Sequence, residues 1–283
     1  MAMPMTPTQT SSLLRDLEHR PRKNLGQNFL VDANIVEKSL TLGQVSPDDQ
    51  IVEIGPGLGT LTESLLEKGA NVWAVEFDAT LAAHLREKLQ PKYPDALKLL
   101  EGDAIEFPRA NFNEPNHFKV VANLPYAIST PWLDAMLQYP LASRMVLMLQ
   151  LEAADRFAAK PGTKQFGAIS IFIQSVYDIE SGHRVPAACF HPRPEVESFL
   201  FNICLKPTPF LFPTQTKKLI RECFQQRRKQ IGALLKKKLA DGGEKWIRSL
   251  SAEGLDHRAR PEQIPVTAWQ RLEVNTPPPD QLN

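Results

Sequence analysis

The chain has 283 residues, of which 42% are hydrophobic and 23% are charged, and its formal net charge is +1. This length and composition predict one large globular domain followed by a small one, and the lack of any run of about 18 apolar residues excludes a membrane-spanning helix. The three cysteines form no C-x-x-C pair and the six histidines are scattered, which disfavours a disulfide framework and a zinc site. We expect a cytoplasmic protein that holds no metal.

The first 22 residues are mostly polar and lack the basic and then apolar order of a secretory signal, so we predict a disordered N-terminal tail over residues 1–22. Strand-like and helix-like segments alternate from residue 51 onward. Apolar, β-branched runs predict buried parallel strands at Ile51–Ile54, Asn71–Glu76, Leu97–Leu100, Lys119–Ala122 and Met145–Leu149. Helical spacing predicts intervening helices at Thr60–Glu67, Ala79–Leu89 and roughly Pro131–Gln138.

Two further strands are predicted at about Ala168–Val176 and at Ser198–Leu205, and these two could pair antiparallel. The alternation as a whole predicts an α/β fold with a doubly wound, mostly parallel sheet. A proline-rich segment, Lys206–Pro213, then changes the composition, and the apolar residues after it recur at helical spacing. We therefore predict an α/β domain over residues 23–207 and an all-helical domain over residues 208–283.

The charges divide in the same way as the predicted domains. From Lys206 onward there are 15 Lys and Arg against 8 Asp and Glu, whereas the first 205 residues carry 18 against 24. The basic residues concentrate between Lys217 and Lys238, and a polyanion such as nucleic acid would be the expected partner of this segment. A solvated helix surface explains the same run equally well, and the charges alone do not separate the two interpretations.

A glycine-rich turn follows the first predicted strand in Val52–Gly59. Glycines at such a turn let the backbone approach a ligand closely, although a simple turn is an alternative. The next strand ends at Glu76, whose carboxylate could accept both hydroxyls of a ribose. Because the spacing is G-x-G-x-G and no basic residue accompanies it, the site suits a nucleoside without phosphates, such as S-adenosylmethionine. Asp103 follows the third strand and could accept the adenine amine, or it could simply cap a turn.

The fourth strand runs into Asn123-Leu124-Pro125-Tyr126. The exocyclic amine of a nucleobase is a poor nucleophile because its lone pair is delocalised into the ring. An asparagine oxygen and a main-chain carbonyl that accept its hydrogens would favour a pyramidal nitrogen, while proline fixes the loop and tyrosine offers a stacking face. A hydrophobic turn between strand and helix is the alternative interpretation of these four residues.

Five motifs, in the same order, resemble those of the ribosomal RNA adenine dimethyltransferase family, whose members dimethylate two adjacent adenosines near the 3′ end of small-subunit (16S) rRNA. The resemblance spans roughly Arg22 to Leu272. The motifs are Lys23-Asn24-Leu25-Gly26-Gln27-Asn28-Phe29-Leu30, Glu53–Thr62, Asn123–Pro131, Phe190–Ser198 and Gln226-Arg227-Arg228-Lys229. The resemblance implies a Rossmann-like, S-adenosylmethionine-dependent methyltransferase domain with a small C-terminal all-helical domain.

The resemblance also assigns roles to individual residues. It implies cofactor contacts at Gln27, Asn28, Leu30, Gly55, Gly57, Glu76, Asp103 and Asn123. It implies a catalytic site for the target base at Asn123, Leu124, Pro125, Tyr126 and Phe190, with Phe190 as a second aromatic that sandwiches the adenine. The basic residues expected to bind rRNA are Lys23, Arg227, Arg228, Lys229, Lys236 and Lys237. We expect a monomer that acts on rRNA, with an assembling small subunit as its context.

Two alternatives remain open at this point. A methylase of large-subunit rRNA, of the antibiotic-resistance type, would share the Asn123–Tyr126 site. A non-catalytic assembly factor would keep the fold and bind RNA only, but loss of the Asn123–Tyr126 motif or of Glu76 would be expected of it, and both are intact.

Overall fold

The computed structural model describes residues 5–22, 26–113, 117–239 and 243–274. The chain divides into two units. The first contains the described residues of Met1–Ala154 and Asp178–Leu205, and the second those of Asp155–Tyr177 and Lys206–Asn283. The division differs from the predicted boundary at residue 207, because residues 155–177 belong to the second unit.

The first unit carries a mostly parallel sheet flanked by helices. The strands of this unit are β1 (Phe29–Leu30), β2 (Gln50–Ile54), β3 (Asn71–Glu76), β4 (Leu97–Glu101), β5 (Phe118–Asn123), β6 (Arg144–Gln150), β7 (Tyr177–Ile179, whose first residue belongs to the second unit), β8 (His183–Val185), β9 (Phe190–His191) and β10 (Ser198–Leu205). Strands β1 and β9 form a separate two-stranded sheet. The helices of this unit are α1 (Pro7–Asp16), α2 (Ala33–Leu42), α3 (Thr60–Glu67), α4 (Ala79–Lys88), α5 (Ser129–Met136) and the start of α6 (Leu151–Phe157). The α/β fold class is thus confirmed.

The main sheet has the strand order β4-β3-β2-β5-β6-β10-β7, with β8 also paired to β10. Strands β4, β3, β2, β5 and β6 run parallel, and β10 pairs antiparallel with β6. The chain moves outward in one direction from β2 to β4 and in the other from β5 to β6. The carboxyl ends of β2 and β5 therefore meet at the point where the strand order reverses, which is where ligands bind in open α/β sheets.

The five strands predicted before residue 150 and the helices between them are confirmed to within two residues at each end. The prediction of a strand at Ala168–Val176 is wrong, because this segment is helix α7 (Ala168–Val176) of the second unit. Most of its side chains are buried, among them Ile171, Phe172 and Ile173. A short apolar run that is buried on all sides does not distinguish helix from strand by periodicity, and tertiary packing overrides the strand preference of its isoleucines.

The prediction of a disordered tail over residues 1–22 is also wrong where the structure describes it, because α1 occupies Pro7–Asp16. The Thr6 hydroxyl accepts the Gln9 N–H, and the Gln9 side chain accepts the Thr6 N–H in return, so the helix begins with a capping box. Leu14 is buried in an apolar cluster with Phe29, Leu58 and Leu81. Tertiary burial of a few leucines stabilises a segment whose polar composition suggested disorder.

The second unit is helical, as predicted for the C-terminal part of the chain. Besides α7 and the remainder of α6, it contains α8 (Thr214–Gln225), α9 (Ile231–Leu235), α10 (Glu244–Ser249) and α11 (Val266–Gln270). The apolar stripe predicted after residue 213 is divided between α8 and α9 by residues 226–230, and Leu219, Ile220, Cys223 and Ile231 are buried. None of the described helices is long and apolar enough to cross a membrane.

Candidate functional site

A cavity of about 270 Å³ opens in the first unit at the carboxyl ends of the parallel strands. Its walls come from the segment Gly26–Leu30, the glycine-rich loop after β2, the end of β3, the turn after β4 and the loop after β5. This is the position at which the strand order reverses. The topology thus brings the predicted cofactor residues of five separate segments to one place.

Glu76 ends β3 and is 5% exposed. One carboxylate oxygen accepts the Gly57 N–H at 2.9 Å, and the other accepts the Asp78 N–H at 2.9 Å. Burial raises the pKa of Glu76, the two backbone hydrogen bonds act against this increase, and the charge of Asp78 adds to it. Each oxygen has a second lone pair in addition to the one that a backbone group uses, so the carboxylate can still accept hydroxyl groups of a ligand in the cavity.

The glycine-rich loop needs glycine for its conformation as well as for space. Gly55 and Gly57 have φ angles of 66° and 61°, in the left-handed region. A Cβ on Gly57 would lie 3.1 Å from the Phe29 ring, and one on Gly55 would lie 3.2 Å from the Pro125 ring. These close approaches join the loop to the segments that carry Asn28 and Asn123.

Sequence reasoning missed Glu53, which lies in β2 and also lines the cavity. It is 1% exposed, and its Oε2 has no hydrogen-bond partner among the described residues. Burial raises the pKa of Glu53 to about 8, although the nearby Thr62 hydroxyl acts against the increase and the charge of Glu76 adds to it. With a pKa of about 8, the Glu53 carboxyl group is mostly protonated at pH 7. The only available signal was its place in the strand before the glycine-rich turn, because the charge state depends on burial.

Asp103 and Phe77 flank the part of the cavity beyond β3. Oδ1 of Asp103 accepts the Ile105 N–H at 2.7 Å, so this carboxylate caps a turn as well as lining the cavity. Phe77, which directly follows Glu76, lines the cavity although 58% of its surface is exposed. An exposed aromatic face beside a carboxylate suits the stacking of a purine ring, and no motif in the sequence points to Phe77 in this role.

Asn123 ends β5 at the edge of the cavity. Its Nδ2 donates to the main-chain oxygen of Asn28 at 2.9 Å, and the Asn28 side chain donates in turn to the Gly26 oxygen at 3.1 Å. A carbonyl oxygen can only accept, so the amide nitrogen of Asn123 must face Asn28 and the side-chain oxygen must face the other way. The amide is therefore held with an acceptor available to an incoming amine.

The residues after Asn123 have different surroundings. Pro125 lines the cavity, whereas Leu124 is 1% exposed and packs in the interior. Tyr126 starts a short 3-10 turn, and its hydroxyl lies 2.5 Å from the Ser198 hydroxyl. Burial raises the pKa of Tyr126, and the contact with Ser198 partly offsets this increase. Tyr126 thus adjoins the cavity segment without lining the cavity itself.

The remaining predicted residues of the first unit fall into two groups. Asn28 and Leu30 line the cavity; Gln27 does so too, but its amide oxygen accepts the Arg22 N–H at 2.8 Å and contacts the His19 ring. Phe190 is 3% exposed and does not line the cavity, because β9 pairs with β1 opposite Leu30 and buries the ring in the core. The structure therefore does not bring Phe190 to the cavity.

The predicted RNA-binding residues that the structure describes lie in the second unit. Arg228, Lys229, Lys236 and Lys237 are exposed, whereas Arg227 is half-buried. Lys23 lies outside the described residues. No cluster of metal-ligating side chains is found in the described part of the chain.

Comparison with known proteins gives consistent results over nearly the whole chain. The family model described as "Ribosomal RNA adenine dimethylase" matches residues 18–273. A protein of Opitutus terrae named "Ribosomal RNA small subunit methyltransferase A" is 58% identical over 274 residues, covering 96% of this chain and 99% of that protein. A protein of the same name from Lactobacillus acidophilus is 34% identical and covers 96% of this chain and 97% of that protein.

Solved structures share the fold. A dimethyladenosine transferase from Plasmodium falciparum superposes with a TM-score of 0.71 at 23% identity, covering 85% of this chain and 94% of that one. The 23S rRNA methyltransferase ErmE superposes with a TM-score of 0.66 at 23% identity, covering 86% of this chain and 97% of that one. Since the family model spans most of the chain and a close relative spans almost all of it, the chain belongs to the ribosomal RNA adenine dimethylase family and is a methyltransferase.

Proposed function

We propose that this enzyme transfers methyl groups from S-adenosylmethionine to N6 of two adjacent adenosines near the 3′ end of small-subunit rRNA. The observation that carries the proposal is the amide of Asn123, a residue that lines the cavity: its nitrogen donates to the Asn28 oxygen, which leaves the side-chain oxygen to accept. Membership of the family and the names of its relatives support the choice of substrate. The proposed setting is the cytoplasm, with the enzyme acting as a monomer.

The cavity fits the proposed cofactor. Glu76 would accept the ribose hydroxyls with the lone pairs that Gly57 and Asp78 do not use. Asp103 would accept the adenine amine through its second oxygen, with Phe77 against the face of the ring. Gly55 and Gly57 keep side chains out of the loop, so that the backbone can approach the ligand. When bound, S-adenosylmethionine supplies an electrophilic methyl group on a positively charged sulfur.

The chain's own contribution to the chemical step is positioning and hydrogen bonding. The Asn123 oxygen would accept one N6 hydrogen of the target adenine, and the main-chain carbonyls of the loop around Pro125 would accept the other. Both contacts favour a pyramidal nitrogen, whose lone pair is available to the methyl group, and they strengthen as positive charge develops on that nitrogen. Tyr126 would stack on the adenine, with its ring held by the hydrogen bond to Ser198.

The exposed basic residues of the second unit would bind the rRNA backbone. Arg228, Lys229, Lys236 and Lys237 are exposed and suit phosphate oxygens. Methylation of large-subunit rRNA is less well supported, since the relatives at 34% and 58% identity are both named for the small subunit. An RNA-binding factor without catalysis would not need an acceptor at the Asn123 side-chain oxygen.

The test is to incubate the protein with isotopically labelled S-adenosylmethionine and small ribosomal subunits that lack base methylation, and then to map the modified bases. We expect two adjacent dimethylated adenosines near the 3′ end of the rRNA, and no transfer by Asn123→Ala. Glu87→Gln, a change on the exposed surface of α4, is the matched control and should act like the wild type. A parallel reaction with large ribosomal subunits should give no labelling. Labelling of large-subunit rRNA there, or of neither rRNA, would contradict the proposal.

A further inference from the structure

The loop of residues 158–167 lies in the second unit, before α7, and contains two lysines and no acidic residue. Lys160 and Lys164 are exposed. Between them, residues 160–163 form a tight turn in which the Thr163 N–H donates to the Lys160 oxygen at 3.2 Å. Gly162 has a φ of 85° and Pro161 precedes it, which is the residue order of a type II turn.

Two residues from other parts of the second unit hold the loop in place. The main-chain oxygen of Glu262 accepts the Gly162 N–H at 2.6 Å. Nη1 of Arg227 donates to the main-chain oxygen of Lys164 at 2.8 Å. Nε of Arg227 lies 3.5 Å from Oε2 of Glu262, so the two residues that hold the loop are themselves an ion pair.

Arg227 differs from Arg228 and Lys229 because its guanidinium contacts both Glu262 and the Lys164 oxygen. Oε2 of Glu262 is buried and has no hydrogen-bond partner among the described residues, so the Arg227 guanidinium is the charge that compensates it. The pair is partly buried, with 36% of the Arg227 side chain and 18% of the Glu262 side chain exposed, and it orients the guanidinium towards the loop. Arg228 and Lys229, by contrast, are fully on the surface. Of the three basic residues in the Gln226–Lys229 motif, Arg227 is therefore the one whose side chain contacts the rest of the second unit.

We propose that residues 160–165 are a part of the rRNA-binding surface, with Lys160 and Lys164 as phosphate contacts, and that Arg227 is a positioning residue that holds this loop. The inference rests on the proposed function and extends it. An ordered turn holds the backbone of both lysines in place, so that only side-chain freedom is lost when they bind a phosphate backbone. The loop and the adjacent Arg228 and Lys229 then form one basic surface on the second unit.

The first experiment replaces both lysines, in Lys160→Gln/Lys164→Gln, and measures binding of an rRNA fragment from the 3′ end of the small subunit by fluorescence anisotropy over a salt series. Two lost phosphate contacts should reduce the salt slope by about 1.4–1.8. Raising the salt fourfold should therefore weaken the wild type by roughly 7 to 12 times more than the variant. The control Lys68→Gln/Lys88→Gln removes the same charge from exposed sites of the first unit and should keep the wild-type slope.

The second experiment uses Arg227→Lys, which keeps the positive charge but cannot both pair with Glu262 and donate to the Lys164 oxygen in the same geometry. We expect faster hydrogen exchange at the Gly162 amide and weaker rRNA binding in spite of the unchanged charge. Wild-type rRNA binding by Arg227→Lys would overturn the positioning role. A wild-type salt slope in the double lysine variant would overturn the role of the loop. Methylation of small ribosomal subunits by the wild type tests the proposed function separately.

Discussion

The buried carboxyl group of Glu53 makes the stability of this protein depend on pH in a predictable direction. Glu53 is 1% exposed, and burial raises its pKa from 4.5 to about 8. Between these two values the folded protein holds a proton that the unfolded chain has released. The stability that the neutral carboxyl group provides is therefore complete below about pH 4.5 and is lost as the pH rises towards 8.

The size of the change in unfolding free energy follows from the pKa shift of Glu53. One pKa unit corresponds to about 1.4 kcal/mol, so a shift from 4.5 to about 8 is worth roughly 5 kcal/mol, as an upper limit for a single buried group. Glu53→Gln replaces the group by a neutral one of similar shape. The free energy of unfolding of the variant, relative to the wild type, should rise by roughly 3 kcal/mol between pH 5 and pH 8.

The assay is urea denaturation of both proteins at several pH values between 5 and 8, followed by far-ultraviolet circular dichroism. The control Glu87→Gln makes the same chemical change at an exposed position and should follow the wild type at every pH. A constant difference in unfolding free energy between Glu53→Gln and the wild type over this range would refute the argument, since it would mean that Glu53 ionises alike in the folded and unfolded chains.

Four further predictions concern the site. Glu76→Ala should weaken binding of S-adenosylmethionine at least tenfold in a calorimetric titration of the folded variant, because loss of a hydrogen-bonding charged acceptor costs about 1.5–3 kcal/mol; unchanged affinity would contradict the ribose assignment. Asn123→Ala should collapse the single-turnover rate of methyl transfer at saturating cofactor while rRNA affinity stays close to that of the wild type, and a wild-type rate would reduce this loop to a structural turn. Tyr126→Phe should remain largely active, since it keeps the stacking ring, whereas Tyr126→Ala should lose much of the rate. Because the Tyr126 hydroxyl contacts Ser198, Ser198→Ala should have the same small effect as Tyr126→Phe, and the double variant should be no worse than either, whereas additive losses would rule out their coupling.

Local sequence determined the strands, most helices and the main functional segments. Buried parallel strands are continuous apolar runs, and the turns that follow β2 and β5 use residue types with restricted or unusual backbone angles, so both can be recognised without tertiary information. The carboxyl ends of parallel strands share one edge of the sheet, so the positions of Glu76, Asp103 and Asn123 at or just after predicted strands indicate a common site.

Other features depend on contacts between residues that are far apart in the chain, and only the tertiary structure decided them. The run Ala168–Val176 is a helix because of what surrounds it, since its apolar pattern fits a strand equally well. Phe190 resembles a stacking residue in its motif, but pairing of β9 with β1 buries it. Glu53 is neutral because folding removes its water, and Arg227 faces Glu262 and the Lys164 oxygen, not solvent. Charge state and side-chain direction are set by neighbours in space, and sequence distance does not specify those neighbours.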